Sequence, residues 1–171
     1  APRIKIDNTR GYGAEVVLYD RATESREGIA DRLVAERGAT LVRPFDDPLI
    51  VAGQGTAALE AIADAAARGV TFDALTAPAS GGGLIAGSAL ACEGTSPATR
   101  VYSAEPAGLD DHARSLARGE RVGHDATAHS ICDALQAIMP GEITFAVNRT
   151  RLAGGLVVTD DEVRDAMRVA F

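Results

Sequence analysis

Apolar positions along this chain follow two rhythms. Short continuous runs, the pattern of buried strands, fall at residues 15–19, 40–42, 72–77, 100–104 and 156–158. Spaced stripes at helical intervals fall at 23–37, 56–68, 84–92 and 110–118, and Gly38, Gly69 and Gly119 stop three of them. Pro2 suits a first helical position and Gly13 the close of that helix. Residues 120–130 read as loop, and 141–151 is ambiguous with helix preferred. The last segment opens on Thr159 and Glu162, a capping box, and carries Val163, Ala166, Met167 and Ala170 as its apolar stripe. Strands alternating with helices long enough for crossovers predict an α/β fold with a mostly parallel sheet. Pro44-Phe45-Asp46-Asp47-Pro48 reads as a turn-rich connector and a domain boundary, giving domains 1–44 and 45–171.

Composition narrows the class. The 171 residues are 46% hydrophobic and 24% charged, an ordinary globular balance. A net charge of -7 gives no electrostatic support to a nucleic-acid role. Cys92 and Cys132 make neither a disulfide framework nor a zinc pattern and fit a reducing, cytoplasmic setting. No apolar run reaches membrane-spanning length, so no membrane partner is expected. The chain opens without Met and closes inside a helical stripe, which reads as a fragment of a longer protein.

The candidate chemistry sits at Ser80-Gly81-Gly82-Gly83-Leu84, between a strand and an Ala-rich helix. Consecutive glycines at a helix N-terminus expose backbone N–H groups and let an anion approach without a Cβ in the way. Two ligands compete on spacing. Gly81-x-Gly83-x-x-Ala86 satisfies a dinucleotide fingerprint, with Glu105 where a ribose-binding acid would stand, and this would make an NAD-binding oxidoreductase domain. Alternatively the glycines and the Ser80 hydroxyl form a cup for one phosphate monoester. A bare tight turn is the plain alternative to both. His112, His124 and His129 lack ligand spacing and read as surface or loop residues. Asp46 and Asp47 are explained by a Pro-flanked turn, and Cys92 by helix packing.

The ordered motifs resemble the threonine/serine dehydratase and serine racemase family, pyridoxal-phosphate enzymes of fold type II. They are Ala1-Pro-Arg-Ile-Lys5 with Tyr12-Gly-Ala-Glu-Val-Val17, Pro44-Phe-Asp-Asp-Pro48 with Ala52-Gly-Gln-Gly-Thr56, the glycine loop, Glu105-Pro-x-Gly-x-Asp-Asp111 and Leu156-Val-Val-Thr-Asp-Asp-Glu162. The resemblance implies that 1–44 is the latter part of a small α/β domain and 45–171 part of a large cofactor-binding one. It implies that Ser80, Gly81, Gly82, Gly83 and Leu84 hold the phosphate of pyridoxal 5′-phosphate. Phe45 is expected beside the cofactor ring, and Ala134 where many relatives have glycine. Glu105, the Leu109 carbonyl and Asp111 are expected to bind Mg²⁺, Ca²⁺ or Mn²⁺; the competing expectation is that Asp110 or Asp111 caps a helix. The implied activity is that of a dehydratase (ammonia-lyase) acting on β-hydroxy amino acids such as threonine or serine, and the full-length protein is expected to be a homo-oligomer. A serine racemase or hydroxyaspartate dehydratase on the same scaffold, and a non-catalytic ligand-binding or interaction fragment, remain open. One departure matters: the family's cofactor-bonding lysine lies in a Ser-Phe-Lys-type segment that this chain lacks, and Lys5 is its sole lysine. No catalytic residue is therefore expected in this chain, and the isolated chain is expected to be inactive.

Overall fold

The computed structural model describes residues 2–20, 23–125 and 127–170. The chain divides into two compact units, Ala1–Arg43 and Pro44–Phe171.

The first unit holds two helices. α1 (Arg3–Gly11) follows Pro2, and Gly13 takes a left-handed φ of 85° just beyond it. α2 (Arg26–Arg37) starts three residues later than its stripe predicts, because the Ser25 hydroxyl accepts the Gly28 N–H and fixes the N-terminus there. Gly38 closes it at φ 64°. The strands expected at 15–19 and 40–42 are not formed among the described residues. A strand exists only where its backbone groups meet a partner ladder, and neither segment has one. Arg37 instead ties back to Glu15 at 2.6 Å. Neither helix contains a buried residue.

The second unit is built on three parallel strands in the order β1 (Ala74–Pro78), β2 (Arg100–Pro106) and β3 (Leu152–Val158). α3 (Pro48–Ala67) precedes the sheet, and α4 (Gly83–Thr95) makes the crossover from β1 to β2. α5 (Asp111–Arg118) and α6 (Glu142–Arg151) lie between β2 and β3, and α7 (Asp160–Ala170) follows. α3 begins eight residues before the sequence suggests. Gly53 and Gly55 lower its apparent helicity, but Asp47 caps it, accepting from the Leu49 and Ile50 N–H groups, with Pro48 in the first turn. β3 likewise starts earlier than expected, at Leu152, because Gly154 and Gly155 pair with Tyr102 and Ser103 despite their low strand propensity. The glycine at 155 is needed for packing: a Cβ there would meet the Ala113 Cβ of α5 at 2.6 Å.

Helix α4 is the centre of the unit. Ala79, Ile85, Ala89, Cys92 and Val101 form the core, with Ile62, Leu75, Ala77 and Leu152 packed on it. α3 reaches α4 backbone to backbone, since a Cβ at Gly55 would lie 2.8 Å from the Gly87 carbonyl oxygen. The C-terminal ends of β1 and β2 therefore open side by side, one onto the glycine loop and the other onto Glu105. That is the edge where parallel α/β sheets place ligands.

Candidate functional site

The glycine loop is built by strand β1 running straight into α4. Ala79 continues the strand's pairing through its N–H to the Ala104 carbonyl (2.9 Å). Gly82 then takes φ 92°, a conformation that L side chains rarely adopt, and α4 begins at Gly83. Gly81, Gly82 and Gly83 are all buried.

Carbonyls and N–H groups are used unequally in this loop. The Gly81 carbonyl accepts from the Gly141 N–H (3.1 Å) and from the Thr144 hydroxyl (2.6 Å). The Gly82 carbonyl accepts from the Ala86 N–H (3.0 Å) and the Asn148 amide (3.4 Å). Among the described hydrogen bonds, no Gly81, Gly82 or Gly83 N–H donates to anything. N–H groups left without an acceptor at a helix N-terminus suit an anion. The Ser80 hydroxyl accepts from the Ala137 N–H at 2.9 Å, which leaves its own hydrogen to donate. The loop thus fits a phosphate monoester. Phe45 lies against it, and a Cβ at Gly81 would run into its ring. Ala134 is exposed on the segment that docks on Ser80 through Ala137.

Beside the loop, Glu105 is the penultimate residue of β2 and is fully buried. Its Oε1 accepts from the His112 N–H (2.9 Å) and its Oε2 from the Ala113 N–H (2.8 Å). Glu105, rather than Asp110 or Asp111, thus caps α5: Asp110 occupies the N-cap position without a side-chain capping bond, its carboxylate pairing with Arg114 instead at 3.3 Å. Asp111 is buried, its Oδ1 bonded to His124 Nδ1 at 2.8 Å and its Oδ2 without a partner. Ligand atoms of Glu105, Asp111 and His112 lie within 4.8 Å of one another. Burial drives both acids upward: it pushes Glu105 to about 8, against the pull of its two amide bonds, and it raises Asp111 as well. The clustered Glu105, Asp111 and His112, with the Asp111 Oδ2 left without a partner, form a candidate cation site. The Leu109 side chain is buried at the turn between them.

His112 and His124 are not surface residues. His112 is fully buried and burial pulls it down to about 4, so the ring is neutral at physiological pH. The His124 side chain is only 4% exposed. Spacing does not find them, since Asp111 and His124 meet through the fold and His112 faces inward from the first turn of α5. Asn148 and Thr144 escape sequence reasoning for the same reason. They sit one turn apart on α6, and nothing local marks them as partners of the loop.

A family model described as pyridoxal-phosphate dependent enzyme matches residues 1–171. The chain belongs to that family. It is 39% identical over 171 residues to a serine racemase of Oryza sativa subsp. indica, covering 100% of this chain and 49% of the relative. It is 40% identical over 167 residues to an L-threo-3-hydroxyaspartate ammonia-lyase of Saccharomyces cerevisiae, covering 98% of this chain and 50% of the relative. Among solved structures, a T.th. threonine deaminase superimposes with a TM-score of 0.91 at 42% identity, over 98% of this chain and 54% of that one. The fold is that of the fold type II pyridoxal-phosphate enzymes, and the chain spans about half the length of the curated relatives it matches. This membership replaces the nicotinamide alternative. No helix among the described residues is long and apolar enough to cross a membrane.

Proposed function

We propose that the whole protein is a pyridoxal-phosphate-dependent ammonia-lyase acting on β-hydroxy amino acids such as threonine or serine, releasing a keto acid and ammonium. The observation that carries this reading is the glycine loop, whose carbonyls are tied into the protein while its N–H groups are not. Ser80, Gly81, Gly82, Gly83 and Leu84 hold the phosphate, with the positive end of α4 behind them. Phe45 lies against the loop at Gly81 and Gly83. The chemistry supplied by bound pyridoxal phosphate is an electron sink for loss of the α-proton and the β-hydroxyl. Glu105, the Leu109 carbonyl and Asp111 hold a divalent cation, Mg²⁺, Ca²⁺ or Mn²⁺. That cation relieves the repulsion between the two acids and steadies the first turn of α5.

This chain supplies the cup and no catalytic residue. Lys5, its sole lysine, lies on the exposed face of α1. The 171 residues alone are therefore inactive, and the reading for the whole protein is a homo-oligomeric enzyme of amino-acid metabolism.

A second reading on the same scaffold, a serine racemase or hydroxyaspartate dehydratase, is favoured by the names of the relatives at 39% and 40% identity. The test is to titrate the whole protein with pyridoxal phosphate and follow its visible absorption. Threonine, serine and hydroxyaspartate are then supplied in turn, reading keto acid and product chirality. Keto acid from threonine or serine supports the proposal. Inverted serine without keto acid, or turnover of hydroxyaspartate alone, supports the second reading. No binding of pyridoxal phosphate refutes both.

A further inference from the structure

Helix α6 addresses the glycine loop through two side chains that take no part in the ligand contacts of the cup. Thr144 and Asn148 are one turn apart and fully buried on the same face of α6. The first donates to the Gly81 carbonyl at 2.6 Å and the second to the Gly82 carbonyl at 3.4 Å. In a trans peptide the carbonyl of one residue and the N–H of the next point in opposite directions. Pinning the Gly81 and Gly82 carbonyls toward α6 therefore aims the Gly82 and Gly83 N–H groups away from it, outward to a ligand.

The aim is braced from behind. The other hydrogen of the Asn148 amide goes to His112 Nε2 at 2.8 Å. His112 is itself held at the start of α5 by its N–H bond to Glu105. Asn148 and His112 press directly on the loop, since a Cβ at Gly82 would lie 2.5 Å from His112 Cε1 and 3.0 Å from Asn148 Nδ2. On the other side, Asp46 accepts from the Glu142, Ile143 and Thr144 N–H groups and fixes the first turn of α6. Asn148 Oδ1 is buried without a partner. Burying such polar atoms is unfavourable, and apolar side chains would fill the space better if filling were the only task.

We propose that Thr144 and Asn148, with His112 as the brace of Asn148, are positioning residues that set the direction of the phosphate-binding amides. This rests on the phosphate-cup reading of the loop. It is tested in the whole protein with pyridoxal phosphate as the probe, measuring its dissociation constant and the ³¹P chemical shift of the bound phosphate. Thr144→Val keeps the shape and removes the donor, whereas Thr144→Ser keeps the hydroxyl; Asn148→Leu removes the amide, and His112→Gln preserves an acceptor for it. Asn148→Leu and Thr144→Val each weaken binding about tenfold, roughly 1.4 kcal/mol, and move the ³¹P resonance. Thr144→Ser and His112→Gln stay close to the parent in both readouts. If Asn148→Leu does not fold, the Val and Ser variants at Thr144 decide the matter by themselves. Parent-like affinity and ³¹P shift in Thr144→Val, even with a lowered melting temperature, overturn the proposal and leave a structural role only. Failure of the parent to bind the probe is a different result, which removes the cup reading itself.

Discussion

Gly82→Ala is the substitution whose cost the structure resolves into separate parts. The first part is backbone. Gly82 sits at φ 92°, and holding an L-residue in the left-handed region costs about 1–2 kcal/mol. The second part is the wall. The new methyl would stand 2.5 Å from His112 Cε1, 2.9 Å from His112 Nε2 and 3.0 Å from Asn148 Nδ2. Both neighbours are fully buried and bonded to each other, so neither yields without breaking the pair. Overpacking of that kind costs about 1–3 kcal/mol, which brings the total to about 2–5 kcal/mol. Gly119→Ala is the matched control. It has φ 73°, but nothing lies within 4 Å of its Cβ position, so only the backbone part applies. Urea denaturation of parent and both variants gives the difference from the midpoints, provided the slopes agree. Gly82→Ala is expected to fall below Gly119→Ala by about 1–3 kcal/mol. Equal destabilisation of the two variants would show that no rigid imidazole–amide wall stands behind the loop, and the bracing of Asn148 by His112 would fail with it.

Single contacts set the remaining expectations. Gly87→Ala drives a methyl into the Val51 carbonyl and the Gly55 backbone of α3, so it should cost about 2–4 kcal/mol in the same denaturation assay; Gly94→Ala, with open space around it, should cost nothing. Asp46→Ala frees three amides at the start of α6 and should cost about 1–2 kcal/mol. For pH, Glu105 is raised from 4.5 to about 8, so the folded chain binds more protons than the unfolded one across that window. Its contribution is present at low pH and is lost as pH rises towards 8. His112, lowered from 6.5 to about 4, acts with the opposite sign between those two values, so the Glu105 effect is cleanest from pH 6.5 to 8. In that window, without divalent cations, the melting temperature of the parent should fall as pH rises. That of Glu105→Gln should fall less, and added Mg²⁺ should restore the parent more at pH 8 than at pH 6.5.

How far the sequence discloses this molecule depends on whether each feature is local. The β1–loop–α4 unit is legible because its strand run, its glycines and its helix are adjacent, and Glu105 is legible because it is the penultimate residue of the next strand. The helix stops at Gly38 and Gly119 are legible for the same reason, a left-handed turn being a property of one residue. The first two turns of α3 are hidden by Gly53 and Gly55. Glycine opposes a helix by propensity, yet at 55 it is required by the close approach of Gly87. Strands at 15–19 and 40–42 fail in the other direction. Their apolar runs are real, but a run states only that a ladder would be tolerated, and the ladder partners are a matter of tertiary structure.

The site divides along the same line, and the division has a physical cause. Glycine permits a backbone direction without choosing one. Three glycines in succession can present their amides to solvent, to a ligand or to the protein interior at similar cost. The choice is made by donor side chains 63 and 66 residues further on, which take the two carbonyls and leave the amides facing away. The residues that make the glycine loop conspicuous in the sequence are thus its flexible part. The residues proposed to aim its amides, Thr144, Asn148 and His112, look like ordinary helix positions until the chain is folded. A glycine loop in this family should therefore be judged by what holds its carbonyls. A chain with the same glycines but apolar residues at the positions of Thr144 and Asn148 should retain the turn and bind phosphate more weakly.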